Sequence, residues 1–161
     1  MLKKLFIICS LVLTVSACSS GKKKSTSEAG SGISSEDLSF DPRGSDSGEI
    51  NGLSTINFGY DQASLTGAAK AALQSNAEWL KENSNANLQI EGHTDIRGSI
   101  EYNLALGERR ARTVKSYMVG LGIDEDRMSV ISYGKERLLD EGDSEAAHAR
   151  NRRANFVPIA R

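Results

Sequence analysis

Cysteine is nearly absent from this chain: its 161 residues hold two, Cys9 and Cys18, both close to the N-terminus. No disulfide can form beyond residue 18, so a folded region there must be held by its core. Histidine is equally sparse. His93 and His148 lie far apart, and the cluster Glu91, His93, Asp95 has no third ligand at metal-site spacing, which speaks against metal or acid–base chemistry. No Gly-x-Ser-x-Gly turn follows a strand pattern, so a Ser hydrolase lacks a positioned nucleophile. The chain reads as no enzyme, and it shows no need of a cofactor. Positive charge is not in excess either: 20 Lys and Arg face 21 Asp and Glu, for a formal net charge of −1. That balance gives no support to nucleic-acid binding. Tryptophan occurs once, at Trp79, between helix-facing positions where a core role is expected. Apolar runs are short, and no internal repeat is present. The longest run, Leu5 to Val15, has about eleven residues, too few to cross a bilayer core of about 30 Å as a helix.

That run has a different meaning. Lys3 and Lys4 precede it and Val15-Ser-Ala-Cys18 follows, the pattern of an export signal over residues 1–17 that is removed. Losing the two lysines takes the formal charge from −1 to −3. The small pair before Cys18 resembles a lipobox, which implies that Cys18 becomes the first mature residue and carries N-palmitoyl and S-diacylglycerol groups. Several acyl chains hold a protein stably where one holds it marginally, at about 0.8 kcal/mol per buried methylene. Ser19 and Ser20, where an Asp retains related lipoproteins at the inner membrane, imply sorting to the outer membrane.

Residues 18–51 hold the lipidated N-terminus and then Ser, Gly, Lys, Glu and Asp, with Ile33, Leu38 and Phe40 almost the only apolar side chains. Such a composition cannot bury enough surface to order itself, so this segment reads as a tether. A coil of this length spans about 30 Å and stretches to roughly 100 Å. Lys22, Lys23 and Lys24 read as a solvated charge run.

Residues 52–161 read as one domain. Ile56, Phe58 and Tyr60 alternate as a strand face; Leu65, Ala69, Leu73, Ala77 and Leu80 recur at helical spacing behind Thr66 as N-cap. Leu88 and Ile90 mark a second strand, and a second helix runs from the Leu104 region to Gly120–Gly122. Met128 to Tyr133, apolar on both faces, suggests a central strand covered on both sides or lying beside helices. A short helix around Ser144 to Arg150 precedes a last strand, Ala154 to Ile159, interrupted late by Pro158. The order β-α-β-α-β-(α)-β makes an α+β fold, a two-layer sandwich of helices on a sheet.

Two charges stand out. Asp95 falls in a Gly-bounded loop after the second strand, while Arg110 and Asn103 interrupt the apolar side of the second helix formed by Leu104, Leu106, Ala111, Val114, Tyr117, Met118 and Leu121. A buried guanidinium without an opposite charge or several acceptors costs several kcal/mol. Either Asp95 pairs with Arg110 permanently, or a ligand carboxylate meets Arg110 and a ligand ammonium meets Asp95, the two ends of a zwitterion. Spacing leaves both open.

The run Gly92-His-Thr-Asp-Ile-Arg-Gly-Ser-Ile-Glu-Tyr-Asn-Leu-Ala-Leu-Gly-Glu-Arg-Arg-Ala111 closely resembles the peptidoglycan-associated lipoprotein (Pal) group of the OmpA-like family. So do Asn57-Phe-Gly-Tyr-Asp61, Ser132-Tyr-Gly-Lys-Glu-Arg137 and Glu145-Ala-Ala-His-Ala-Arg-Asn-Arg-Arg153, and the likeness covers residues 53–159. It implies a four-stranded mixed sheet. It also implies that Asp95 takes the ammonium and Arg110 the carboxylate of diaminopimelate in uncrosslinked peptidoglycan stem peptides, with Thr94, Arg97 and Asn103 around them and Tyr60 and Asp61 lining the same groove.

By the same resemblance the protein is anchored in the outer membrane with its domain facing the periplasm. The resemblance also implies TolB and other Tol proteins as partners, and a role in outer-membrane integrity and in membrane invagination during cell division; a generic wall-anchoring lipoprotein without Tol partners is the alternative. The chain departs from the family at Ile96, where a Glu is usual, and at Leu138 and Leu139, near a usual Pro. Arg152 and Arg153 belong to the likeness, as contacts to glycan or partner or as pins on acids such as Glu101 or Asp126.

Overall fold

A computed structural model describes residues 41–161; the signal, Cys18 and most of the tether lie outside the described residues. After a 3-10 turn at Gly44–Ser47 come β1 (Ile56–Asn57), α1 (Gly67–Glu82), β2 (Ala86–His93), α2 (Ile100–Gly120), a turn at Glu125–Arg127, β3 (Met128–Gly134), α3 (Glu145–Asn151) and β4 (Arg153–Ala160). The expected element order and the α+β architecture are both present. Among these residues no helix is long and apolar enough to cross a membrane.

Caps begin each helix. Thr66, Ser99 and Ser144 accept from the main-chain N–H of Ala69, Tyr102 and Ala147, each satisfying a donor that the first turn leaves unpaired. Leu73 and Leu80 of α1 and Val114 and Met118 of α2 are fully buried on the sheet against Leu88, Ile90 and Phe156, with Trp79 at the core margin. Truncating one of these, such as Leu80→Ala, removes contacts worth about 2–5 kcal/mol.

The sheet order is β1-β4-β2-β3, with β2 and β3 parallel and the other pairs antiparallel. β3 is therefore an edge strand, not a central one covered on both sides. Its apolar inner positions pack against α2 while Ile131 stays exposed. β4 is interior, and Pro158 does not interrupt it. Phe156 N–H points away from β2 to Ser45 Oγ, so the missing N–H of Pro158, two residues on, falls on the same side, beyond the end of β1. β1 is shorter than its alternation suggests: the chain turns at Gly59, and Tyr60 is exposed instead of sharing the face of Ile56 and Phe58.

Part of the expected tether is folded. Gly44 sits at φ 59°, so close to β4 that an added Cβ would lie 2.2 Å from the Phe156 carbonyl oxygen. Ser45 Oγ bonds Asn155 and Phe156, while Asp46 pairs with buried Arg153 at 2.8 Å. Polar bonds, not apolar burial, order residues 44–48, and composition alone misses such a segment. They cover the second face of the sheet, where Glu91, His93, Arg153 and Asn155 are buried.

One contact positions everything that follows. A Cβ on Gly92 of β2 would lie 1.9 Å from the Gly107 carbonyl oxygen of α2, so only glycines let helix and strand meet backbone to backbone. Asn103 and Arg110, one turn before and after Gly107, are thereby brought to the end of β2.

Candidate ligand-binding pocket

Asn103 holds the loop that follows β2. Its Nδ2 donates to the Arg97 carbonyl at 2.8 Å and the Ser99 carbonyl at 2.9 Å, while Lys135 Nζ reaches the Gly98 carbonyl at 2.7 Å. Thr94 N–H donates to the Gly134 carbonyl at 2.8 Å. A short loop with its carbonyls and first N–H tied this way presents Asp95 in one place.

Arg110 has no exposed surface. It is not paired with Asp95: Nε donates to the Gln62 carbonyl at 2.8 Å, Nη1 to the His93 carbonyl at 2.7 Å and Nη2 to the Gly59 carbonyl at 3.0 Å. Among the described residues no carboxylate lies within ion-pair distance of it. Burial, and then the Arg152 charge, push its pKa down to about 10, against the pull of Asp95 and Asp61. Of five N–H donors, three are spent on neutral acceptors and two make no bond.

Asp95, also buried, has other cations. Arg97 Nη2 lies 2.5 Å and Arg152 Nη1 3.3 Å from its Oδ2, and Arg97 N–H donates to Oδ1 at 3.2 Å. Burial raises the carboxyl pKa, but the hydrogen bonds from Arg97 and Arg152 outweigh it and hold the group below the usual aspartate value, so it is ionised at neutral pH. Opposite stands Asp61, a non-glycine residue at φ 55° that accepts from the Tyr102 hydroxyl.

These groups line one pocket of about 170 Å³, with Tyr60, Thr94 and Leu106 completing its wall. Sites enclosing a whole small molecule are roughly 300–1,000 Å³; this one admits the end of a ligand. Every ligand-binding residue anticipated from the sequence, Tyr60, Asp61, Thr94, Asp95, Arg97, Asn103 and Arg110, lies at it. Ile96, half-exposed, does not line it.

Arg152 and Tyr102 were not anticipated at the site. Arg152 binds Asp95, Glu145 (2.8 Å) and the Phe58 carbonyl (3.1 Å), and Arg153 binds Asp46, so neither pins Glu101 or Asp126. Both sit in a quoted motif, but their partners are long-range and leave no mark in local spacing. His93 ends β2, buried, with Nδ1 unpartnered and Nε2 3.5 Å from Glu91. No group of three or more metal-ligating side chains occurs among the described residues.

Known proteins resemble this chain over its folded residues. The OmpA family model matches residues 57–152. The peptidoglycan-associated lipoprotein of Legionella pneumophila is 46% identical over 100 residues, covering 62% of this chain and 57% of that protein. That of Pasteurella multocida is 34% identical over 154 residues, 95% of each chain. The crystal structure of the peptidoglycan-associated lipoprotein from Burkholderia pseudomallei superposes with a TM-score of 0.63 at 39% identity, over 65% of this chain and 89% of that one.

Proposed function

The chain belongs to the OmpA family, and from that premise we propose that it is an outer-membrane lipoprotein whose residues 52–161 bind diaminopimelate-containing peptidoglycan non-covalently. The observation that carries this is Arg110: a fully buried guanidinium in a pocket wall, bonded to three neutral carbonyls and to no acid, with two donors unspent. Such a charge is compensated when a carboxylate enters, and Asp95 and Asp61 supply acceptors for an ammonium group on the same ligand. An amino-acid head group carries both, and the free end of diaminopimelate is one.

Chemically the pocket binds and does not turn over. Its charged groups are arginines and aspartates, arranged to meet opposite charges on a ligand. Kinship with peptidoglycan-associated lipoproteins supports peptidoglycan association and lipidation. Lipidation at Cys18, retention in the outer membrane, TolB as partner and a part in Tol-Pal-dependent invagination are proposals that follow from the same kinship.

The test is retention of the detergent-solubilised full chain on purified sacculi. Asp95→Ala is expected to weaken it ten- to a hundredfold, about 1.5–3 kcal/mol, and Arg110→Ala at least as much; wild-type retention by both variants would reject the assignment. A pull-down with TolB separates the Tol reading, which requires capture, from a wall anchor without Tol partners.

A further inference from the structure

Both receptor groups are closed off in this structure. Arg110 has no accessible surface and the Asp95 side chain has 5%. Asp95 is closed by two arginines that are held very differently. Arg152 is itself buried and fixed by the Phe58 carbonyl, so it belongs to the wall. Arg97 keeps 37% of its side-chain surface, and its guanidinium touches only side chains: Asp95 at 2.5 Å, Glu145 at 3.4 Å and the Tyr60 ring at 4.3 Å from its centroid. Its Nε is buried with no acceptor. Glu145 and Tyr60 are both exposed, and partly exposed ion pairs of this kind exchange at little cost.

We propose that Arg97 is a built-in competitor for the ammonium subsite: its guanidinium occupies Asp95 in the empty protein, and it swings toward Glu145 when a ligand's ammonium group replaces it. This rests on the head-group reading above and adds a residue that sets selectivity. Without Arg97, Asp95 keeps only the longer pair with Arg152, so releasing Arg97 is costly unless another cation arrives. A ligand that brings only a carboxylate therefore leaves Arg97 in place, whereas one that also brings an ammonium group opens the site. The apparent affinity is the intrinsic one multiplied by the open fraction.

Calorimetry with meso-diaminopimelate on the detergent-solubilised full chain tests this. Arg97→Ala is expected to bind about three- to tenfold more tightly than wild type, and Arg97→Lys, which keeps a cation within reach of Asp95, to stay near wild type. In a crystal structure of the complex Arg97 is expected off Asp95 Oδ2. Equal or weaker binding by Arg97→Ala, an equal gain by Arg97→Lys, or a complex that retains the 2.5 Å pair overturns the competitor role. If the wild type fails to bind the probe, the head-group reading falls and this one with it; if the wild type binds and Asp95→Asn does not, the reading stands and the alanine result judges Arg97 alone.

Discussion

Arg110 Nη1 donates to the His93 carbonyl at 2.7 Å, fastening the middle of α2 to the last residue of β2 by a side chain. The same guanidinium holds the Gly59 and Gln62 carbonyls of the turn after β1. One residue thus joins three segments and faces the pocket, so its roles in folding and in binding are inseparable.

Arg110→Ala should therefore unfold earlier than wild type. It strands three carbonyls, that of His93 buried, and opens a cavity, and a loss of at least about 2 kcal/mol is expected in urea titration. A wild-type midpoint would show that water replaces the guanidinium freely.

Asp95→Asn is the cleaner probe of binding. The amide keeps an acceptor for Arg97 and Arg152, and Arg152 retains Glu145 and Phe58, so stability should fall less than in Arg110→Ala while binding of meso-diaminopimelate drops at least tenfold. The comparison needs both measurements on one preparation.

Acidification should weaken the fold through His93. Burial pushes its pKa below 6.5, with Glu91 opposing and Arg153 adding to the depression. Below pH 6.5 the unfolded imidazole takes up a proton that the folded one refuses, so stability falls as the pH drops toward the depressed folded value. Asp95 and Glu91, both held below their ordinary values of 3.8 and 4.5, contribute stability that is lost only at more acidic pH. Unfolding midpoints at pH 7.5 and 5.5 should differ for wild type and converge in His93→Gln; an unchanged difference assigns the slope to another group.

Gly107→Ala reverses the usual rule for helices. Elsewhere in a helix interior the change gains about 1 kcal/mol, but here the Cβ would lie 2.4 Å from Ser132 Oγ and 2.8 Å from the Gly92 carbonyl oxygen. A loss of about 1–3 kcal/mol is expected, and more for Gly92→Ala, whose Cβ meets backbone at 1.9 Å. Thermal unfolding of both variants decides.

Ile96→Glu, which restores the residue usual in the family, should leave affinity within about threefold, a change of about 0.6 kcal/mol. The side chain does not line the pocket and is half-exposed. A larger change in calorimetry would mean that the loop rearranges around the ligand.

The helices were legible because their signals are local: Thr66 caps α1, the Ser144 segment forms α3, and Leu106, Ala111, Val114 and Met118 face the core as their spacing requires. Asp95 and Arg110 were legible as charges out of place, and their resemblance to a known motif set their meaning. What the spacing could not carry was long-range. The edge position of β3 depends on which strand β2 pairs with, and Arg152 reaches Asp95 across 57 positions. The anticipated Asp95–Arg110 alternative gave way because backbone carbonyls, identical at every residue and invisible in a motif, satisfy Arg110 instead.

The fastening of Ser45 and Asp46 onto β4 has a mechanical consequence. A pull applied at Asp41 enters the molecule through an interior strand and divides between the ladders to β1 and β2. Load applied there is thus taken by the sheet before it reaches the turn that bears Asp95.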